Sequence, residues 1–212
     1  VGAILDGCAV FDVERGQTDG ALGKIWQNDT AAAKNSWGYT QGNQFKTVGE
    51  ILRNMIEVVA KNGCFMLNIG PKADGTICDQ EKRILLDIGK WLRVNGEAIY
   101  GSYPFEVCAF EGRKSKNGSF KENKTFRNGD YCFTVKPGKI FVFPLAETLP
   151  QILKIKSLRF AGEGGIRYDI KSVRILGQSR ELPYKQSEKR FEITLPSKMK
   201  NDIPICIEIN VE

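Results

Sequence analysis

The chain has 212 residues, 42% of them hydrophobic and 10% aromatic, with 31 Lys and Arg against 25 Asp and Glu for a net charge of +6. That is enough apolar material for a packed core and too balanced a charge for a disordered tail. Histidine is absent, which removes Ser–His and Cys–His nucleophile pairs and every His-ligated metal site. Carboxylates, aromatics, Lys, Arg and Cys are left to carry any chemistry.

No apolar run approaches the roughly eighteen residues that a membrane-spanning helix needs, and no basic start followed by an apolar stretch marks a signal peptide. The six cysteines stand at 8, 64, 78, 108, 132 and 206. None makes a CxxC spacing, so a zinc knuckle or dithiol motif is not expected. Cys64, Cys132 and Cys206 lie in apolar runs, where a thiol behaves as a small hydrophobe.

In chain order, Thr47-Val48-Gly49-Glu50 is a capping box that opens a helix. Val48, Ile51, Leu52, Met55, Ile56 and Val59 share one face of it, and Asn62-Gly63 closes it with two residues that tolerate the left-handed conformation. Cys64–Ile69 then reads as a strand buried on both faces, as in a parallel sheet. Gly70-Pro71 ends that strand and Asp74-Gly75 makes a turn. Asp79 is placed to cap a second helix that carries Ile84, Leu85, Ile88, Trp91 and Leu92 and stops at Asn95-Gly96. Helix, strand, loop, helix is the unit of a β/α barrel or a doubly wound sheet.

Beyond about residue 105 the pattern changes to period two. Tyr131–Lys136 and Ile140–Leu145 flank Pro137-Gly138 as a hairpin, and Ile152–Ile155, Tyr168–Ile175, Arg190–Leu195 and Ile203–Val211 supply further strands. Asn117-Gly118, Asn128-Gly129 and Gly162–Gly165 mark turns. Such a series predicts an antiparallel β-sandwich. Charge divides at the same place: residues 1–105 hold 11 basic and 12 acidic side chains, residues 106–212 hold 20 and 13. Two units, 1–105 and 106–212, are therefore expected. The polar stretch Glu111–Asp130, with four lysines and two arginines, reads as a solvated surface loop. It lacks the interleaved aromatics of a single-strand nucleic-acid groove, so no nucleic-acid partner is expected.

Three stretches are more specific: Phe11-Asp12-Val13-Glu14-Arg15-Gly16, Ser36-Trp37-Gly38-Tyr39, and Leu67–Thr76, which runs on into Trp91-Leu92 and Val94–Tyr100. In this order and spacing they resemble the C-terminal portion of glycoside hydrolase family 29, the α-L-fucosidases. The likeness is strong over about residues 1–105 and weak beyond. It implies the C-terminal part of a (β/α)8-like barrel followed by an antiparallel β-sandwich, and retaining hydrolysis of terminal α-L-fucosyl linkages in a fucosylated glycan. Two carboxyl groups about 5–5.5 Å apart do that chemistry, one as nucleophile and one as acid then base.

The resemblance puts the acid/base at Glu14 and lays the fucose ring and its methyl group against Trp37. It puts the nucleophilic aspartate on an earlier barrel strand, so this chain alone is expected to be inactive without an upstream barrel segment or a complementing chain. No metal or organic cofactor and no membrane partner are implied; family members are often extracellular, periplasmic or lysosomal. On the residues alone, Glu14 could instead pair with Arg15 on a surface turn and Trp37 could be a core tryptophan. The other class of function is a non-catalytic carbohydrate-binding or structural module. Trp26 suits barrel packing or a rim contact, and Asn68 and Asp74 suit loop structuring near a strand end.

Overall fold

A computed structural model describes residues 8–106, 109–113, 117–122, 125–159 and 168–212. Cys108 and the Gly162–Gly165 turn lie outside the described residues. Strands β1 (Phe11–Asp12), β2 (Trp26–Ala31) and β3 (Gly63–Asn68) form a parallel sheet in the order β1-β2-β3. Helix α1 (Val48–Ala60) connects β2 to β3, and α2 (Asp79–Asn95) follows β3. The pairing is in register from Trp26 beside Gly63 to Ala31 beside Asn68.

The capping box forms as read: the Thr47 hydroxyl accepts from the Glu50 N–H (3.1 Å) and the Glu50 carboxylate from the Thr47 N–H (2.7 Å). The helix closes on Asn62, whose φ is 69°. Gly63 does something else. It begins β3, and a Cβ there would lie 2.6 Å from the Val58 side chain and 2.7 Å from the Trp26 ring, so the residue is small because the helix and β2 press on it. Asp79 does not cap α2: Cys78 holds the N-cap without a side-chain bond, and Asp79 and Glu81 sit in the first turn, where their charge complements the helix dipole.

One expectation for β3 fails. Phe65 and Leu67 pack towards the helices, but Cys64 is exposed and Met66 is 48% exposed. The two helices cover only one side of this three-stranded sheet, and alternation sends Cys64 and Met66 to the other. Cys64 is therefore not a buried hydrophobe, whereas Cys132 and Cys206 are buried.

The remaining strands are β4 (Tyr103–Pro104), β5 (Phe110–Glu111), β6 (Tyr131–Lys136), β7 (Lys139–Pro144), β8 (Thr148–Leu149), β9 (Ile152–Ile155), β10 (Ile170–Ile175), β11 (Tyr184–Gln186), β12 (Phe191–Thr194), β13 (Met199–Lys200) and β14 (Ile207–Val211). One sheet runs β10-β14-β7-β6-β4 with β5 also on β6, a second runs β11-β12-β9, and β8 pairs with β13. All these pairings are antiparallel. The hairpin turns at Gly138, whose φ of 74° explains the residue. The expected strand from Ile203 begins only at Ile207, because Pro204 has no N–H to give a ladder and its carbonyl accepts from the Trp91 indole at 2.7 Å.

The larger sheet is a middle layer. Phe133, Ile140, Val142, Ile207 and Ile209 face the smaller sheet's Leu153, Ile155, Phe191 and Ile193. Cys132, Phe141, Phe143 and Cys206 turn the other way, onto Ile51, Leu52, Ile56, Ile84, Ile88 and Trp91 of the helices. Burial on both faces is why Ile140-Phe141-Val142-Phe143 is apolar without a break.

Candidate active site

Glu14 follows β1, Trp37 lies in the loop after β2, and Asn68 ends β3, so all three stand at the C-terminal ends of parallel strands. That is where such sheets leave side chains and backbone groups free of the ladder. The Glu14 carboxylate accepts a hydrogen bond from the Trp37 indole N–H at 3.1 Å. The Trp37 carbonyl accepts from the Asn68 amide at 2.6 Å, which ties the loop after β2 to the end of β3.

Arg15 does not form a surface pair with Glu14. Its guanidinium donates to the carbonyls of Ala33, Lys34 and Ser36, each at 3.2 Å, and lies 4.5 Å from the centroid of the Trp37 ring. A planar cation fixed by three carbonyls makes a platform for one face of the indole. Trp37 remains 38% exposed, so it is no core tryptophan. Around it, Ser36 and Gly38 bond each other, the Asn43 amide donates to the Gly38 carbonyl, and Lys72 Nζ lies 5.6 Å from the Tyr39 ring centroid. A Cβ on Gly70 would stand 2.6 Å from the Tyr39 nitrogen, so the loops after β2 and β3 touch backbone to backbone there.

The other aromatic and turn residues separate from this group. Trp26 is fully buried, with its indole N–H donating to the Lys61 carbonyl at 2.9 Å, so it packs and makes no rim contact. Asp74 accepts from the Thr76 N–H and hydroxyl, which hold its carboxyl below the ordinary range; it shapes its turn. Buried Glu81 accepts from the Gly70 N–H at 3.0 Å and fixes the start of the same loop.

Two groups escaped sequence reasoning. Asp12 stands beside Gln27 across β1 and β2, and Asp29, two residues further along β2, is its hydrogen-bond partner. The Gln27 amide donates to Asp12 at 3.1 Å. Partial desolvation first, and then the hydrogen bond with Asp29, lift the Asp12 carboxyl above its usual range against that donor, with the Glu14 charge adding to the rise. The alternation in Trp26–Ala31 could have signalled Asp29, but only with the register in hand. The second group is the Glu111–Asp130 stretch, whose described parts are more than a solvated loop. Glu111 accepts from the Lys156 and Ser157 N–H groups, and Phe120 donates its N–H to the Glu14 carbonyl at 2.8 Å.

Residues 6–97 match the family model described as alpha-L-fucosidase. The tissue alpha-L-fucosidase of Rattus norvegicus is 40% identical over 85 residues, 39% of this chain and 18% of that protein. The plasma alpha-L-fucosidase of Pongo abelii is 27% identical over 183 residues, 84% of this chain and 35% of that protein. The solved alpha-fucosidase of Thermotoga maritima in complex with fucose superposes on 91% of this chain and 41% of its own, with a TM-score of 0.68 and 28% identity. A further solved alpha-L-fucosidase gives a TM-score of 0.71 at 26% identity, over 94% of this chain and 42% of its own. The chain thus spans about a fifth to two fifths of the relatives it matches. The solved fucosidases pair a barrel with a β-sandwich, in keeping with the β-rich second half here, and over most of its length the chain is similar to α-L-fucosidases of glycoside hydrolase family 29.

Proposed function

We propose that this chain is the acid/base portion of a retaining α-L-fucosidase acting on fucosylated glycans, with Glu14 as acid/base and Trp37 against the fucose. The observation that carries the reading is the contact between the Glu14 carboxylate and the indole of a half-exposed tryptophan at the C-terminal ends of parallel strands. A carboxyl there gives its proton to the departing glycosidic oxygen and takes one back from the attacking water. The indole beside it offers an apolar face to the sugar's C–H edge.

Residues 1–105 act in this reading as the last part of the barrel and residues 106–212 as the sandwich. The nucleophilic carboxylate comes from strands upstream or from a complementing chain. Support for that lies in the sheet itself: among the described residues neither β1 nor β3 has a neighbour on its outer side, and Cys64 and Met66 face away from the helices uncovered. An edge and face of that kind call for further strands.

The test is Glu14→Ala in the complete enzyme. An aryl fucoside with an acidic phenol leaves with little help, whereas a sugar leaving group needs the proton. Activity on the disaccharide should fall by roughly 10²–10⁴-fold and on the aryl fucoside by much less. Equal and minor losses on both substrates would remove Glu14 from the role.

A further inference from the structure

The turn that carries Glu14 is gripped from two sides. On one side is β2: the Val13 N–H donates to the Gln27 carbonyl (2.9 Å), the Arg15 N–H to the Asp29 carbonyl (2.8 Å), and the Asn28 amide to the carbonyls of Val13 (3.0 Å) and Gly16 (2.9 Å). On the other side is a segment from the second half of the chain. Gly118, Phe120 and Glu122 donate their N–H groups to the carbonyls of Gln17 (2.9 Å), Glu14 (2.8 Å) and Arg15 (3.1 Å). The fit leaves no slack: a Cβ on Gly16 would run into the Gly118 carbonyl.

One side chain fastens the second segment. The Glu122 carboxylate accepts from the Thr30 hydroxyl (2.5 Å), the Lys46 ammonium (2.6 Å) and the Asn54 amide (2.9 Å). Asn54 in turn accepts from Gln17, at 2.5 Å, inside the gripped turn. Lys46 and Glu122 are only 10% and 16% exposed at their side chains, so water gives little competition for these bonds. The anchor joins β2, the residue before the α1 cap, α1 itself and the turn after β1 at a single carboxylate.

We propose that Glu122 is a positioning residue for the acid/base, a carboxylate from the second half of the chain that sets the height of Glu14 by fixing the segment laid against its backbone. The proposal rests on the reading of Glu14 given above. A proton donor displaced by about an ångström loses most where the leaving group depends on it.

The experiment compares a fucosyl disaccharide with a nitrophenyl fucoside in the complete enzyme. For Glu122→Ala, kcat/KM on the disaccharide should fall about 30-fold while the nitrophenyl substrate stays within about threefold. Where that variant does not fold, Thr30→Val, which removes a single donor to the same carboxylate, should give the same pattern at about fivefold on the disaccharide. A merely structural role would lower both substrates alike, and that result, or no loss on either, overturns the proposal. Glu14→Ala in the same assay separates the two claims. Selective loss in Glu14→Ala without it in the Glu122 and Thr30 variants overturns the positioning role alone; equal losses in Glu14→Ala overturn the acid/base reading and this proposal with it.

Discussion

Replacing Trp37 by Phe would keep an aromatic face and remove the N–H that reaches Glu14. Hydrogen bonds to a charged group contribute about 1.5–3 kcal/mol, so the expected loss in kcat/KM is roughly ten- to a hundredfold, measured on any fucoside the complete enzyme accepts. Arg15→Lys tests the platform beneath the indole. A lysine cannot reach three carbonyls with a planar fork, and the loop after β2 should lose order while the capping box of α1 stays intact. As candidates, Glu14 and Trp37 were legible in the short stretches DVERG and SWGY through the resemblance those stretches carry. Their mutual contact was not, since it depends on two loops meeting across parallel strands. Arg15 was legible only as the carboxylate's neighbour; its real partners are carbonyls 18 to 21 positions away. Glu122 was hidden further, in a stretch whose lysines read as surface.

Among the elements, α1 was read almost residue for residue, because a capping box and a helical apolar stripe are local signals. The helix also carries a group whose purpose is not local. Buried Arg53 donates to the carbonyls of Leu145 (2.7 Å), Asp202 (3.2 Å) and Asn201, tying the helix to the chain around the larger sheet. Burial lowers its pKa against the attraction of Glu147, Asp202 and Glu50. Arg53→Ala strands three carbonyls and should cost about 3 kcal/mol, seen as a lower urea midpoint. In β14, Glu208 alternates onto the face opposite Ile207 and Ile209, the side that Phe141 also takes, and its side chain is fully buried there, between Arg174 (2.6 Å) and Lys139 (3.2 Å). Burial alone would raise its carboxyl; the bonds from Asn210, Lys139 and Arg174 outweigh that and lower it. Its contribution to stability is therefore complete above the unfolded carboxyl value of about 4.3 and is lost as pH falls through the lower folded value. Urea midpoints should hold from neutrality to about pH 5 and decline below it, and Glu208→Gln should lose stability at neutral pH and flatten that decline. An unchanged acid limb in the variant contradicts the assignment.

Taken as a whole, the molecule is layered: a parallel sheet, two helices, a large antiparallel sheet and a smaller one. The order of these layers could be anticipated from the change of period near residue 105. Their interlocking could not, because Phe141 and Phe143 pack on helices from the other half of the chain and nothing in a single strand's pattern says which neighbour covers each face. Nor did the apolar run at β3 reveal that, among the described residues, Cys64 and Met66 on one side of it stay exposed. That open side and the site at the strand ends support the proposed reading, in which Glu14 works with a nucleophile from an upstream barrel segment or a complementing chain. The most direct measurement is the anomeric configuration of the azide formed when Glu14→Ala is assembled into the complete enzyme and turned over on an aryl α-fucoside with sodium azide. The upstream nucleophile inverts the sugar once and azide inverts it again, so the account predicts faster turnover and an α-fucosyl azide. A β-fucosyl azide, made by a single inversion, would show that Glu14 is itself the missing nucleophile, and no azide product with no acceleration would remove it from the chemistry.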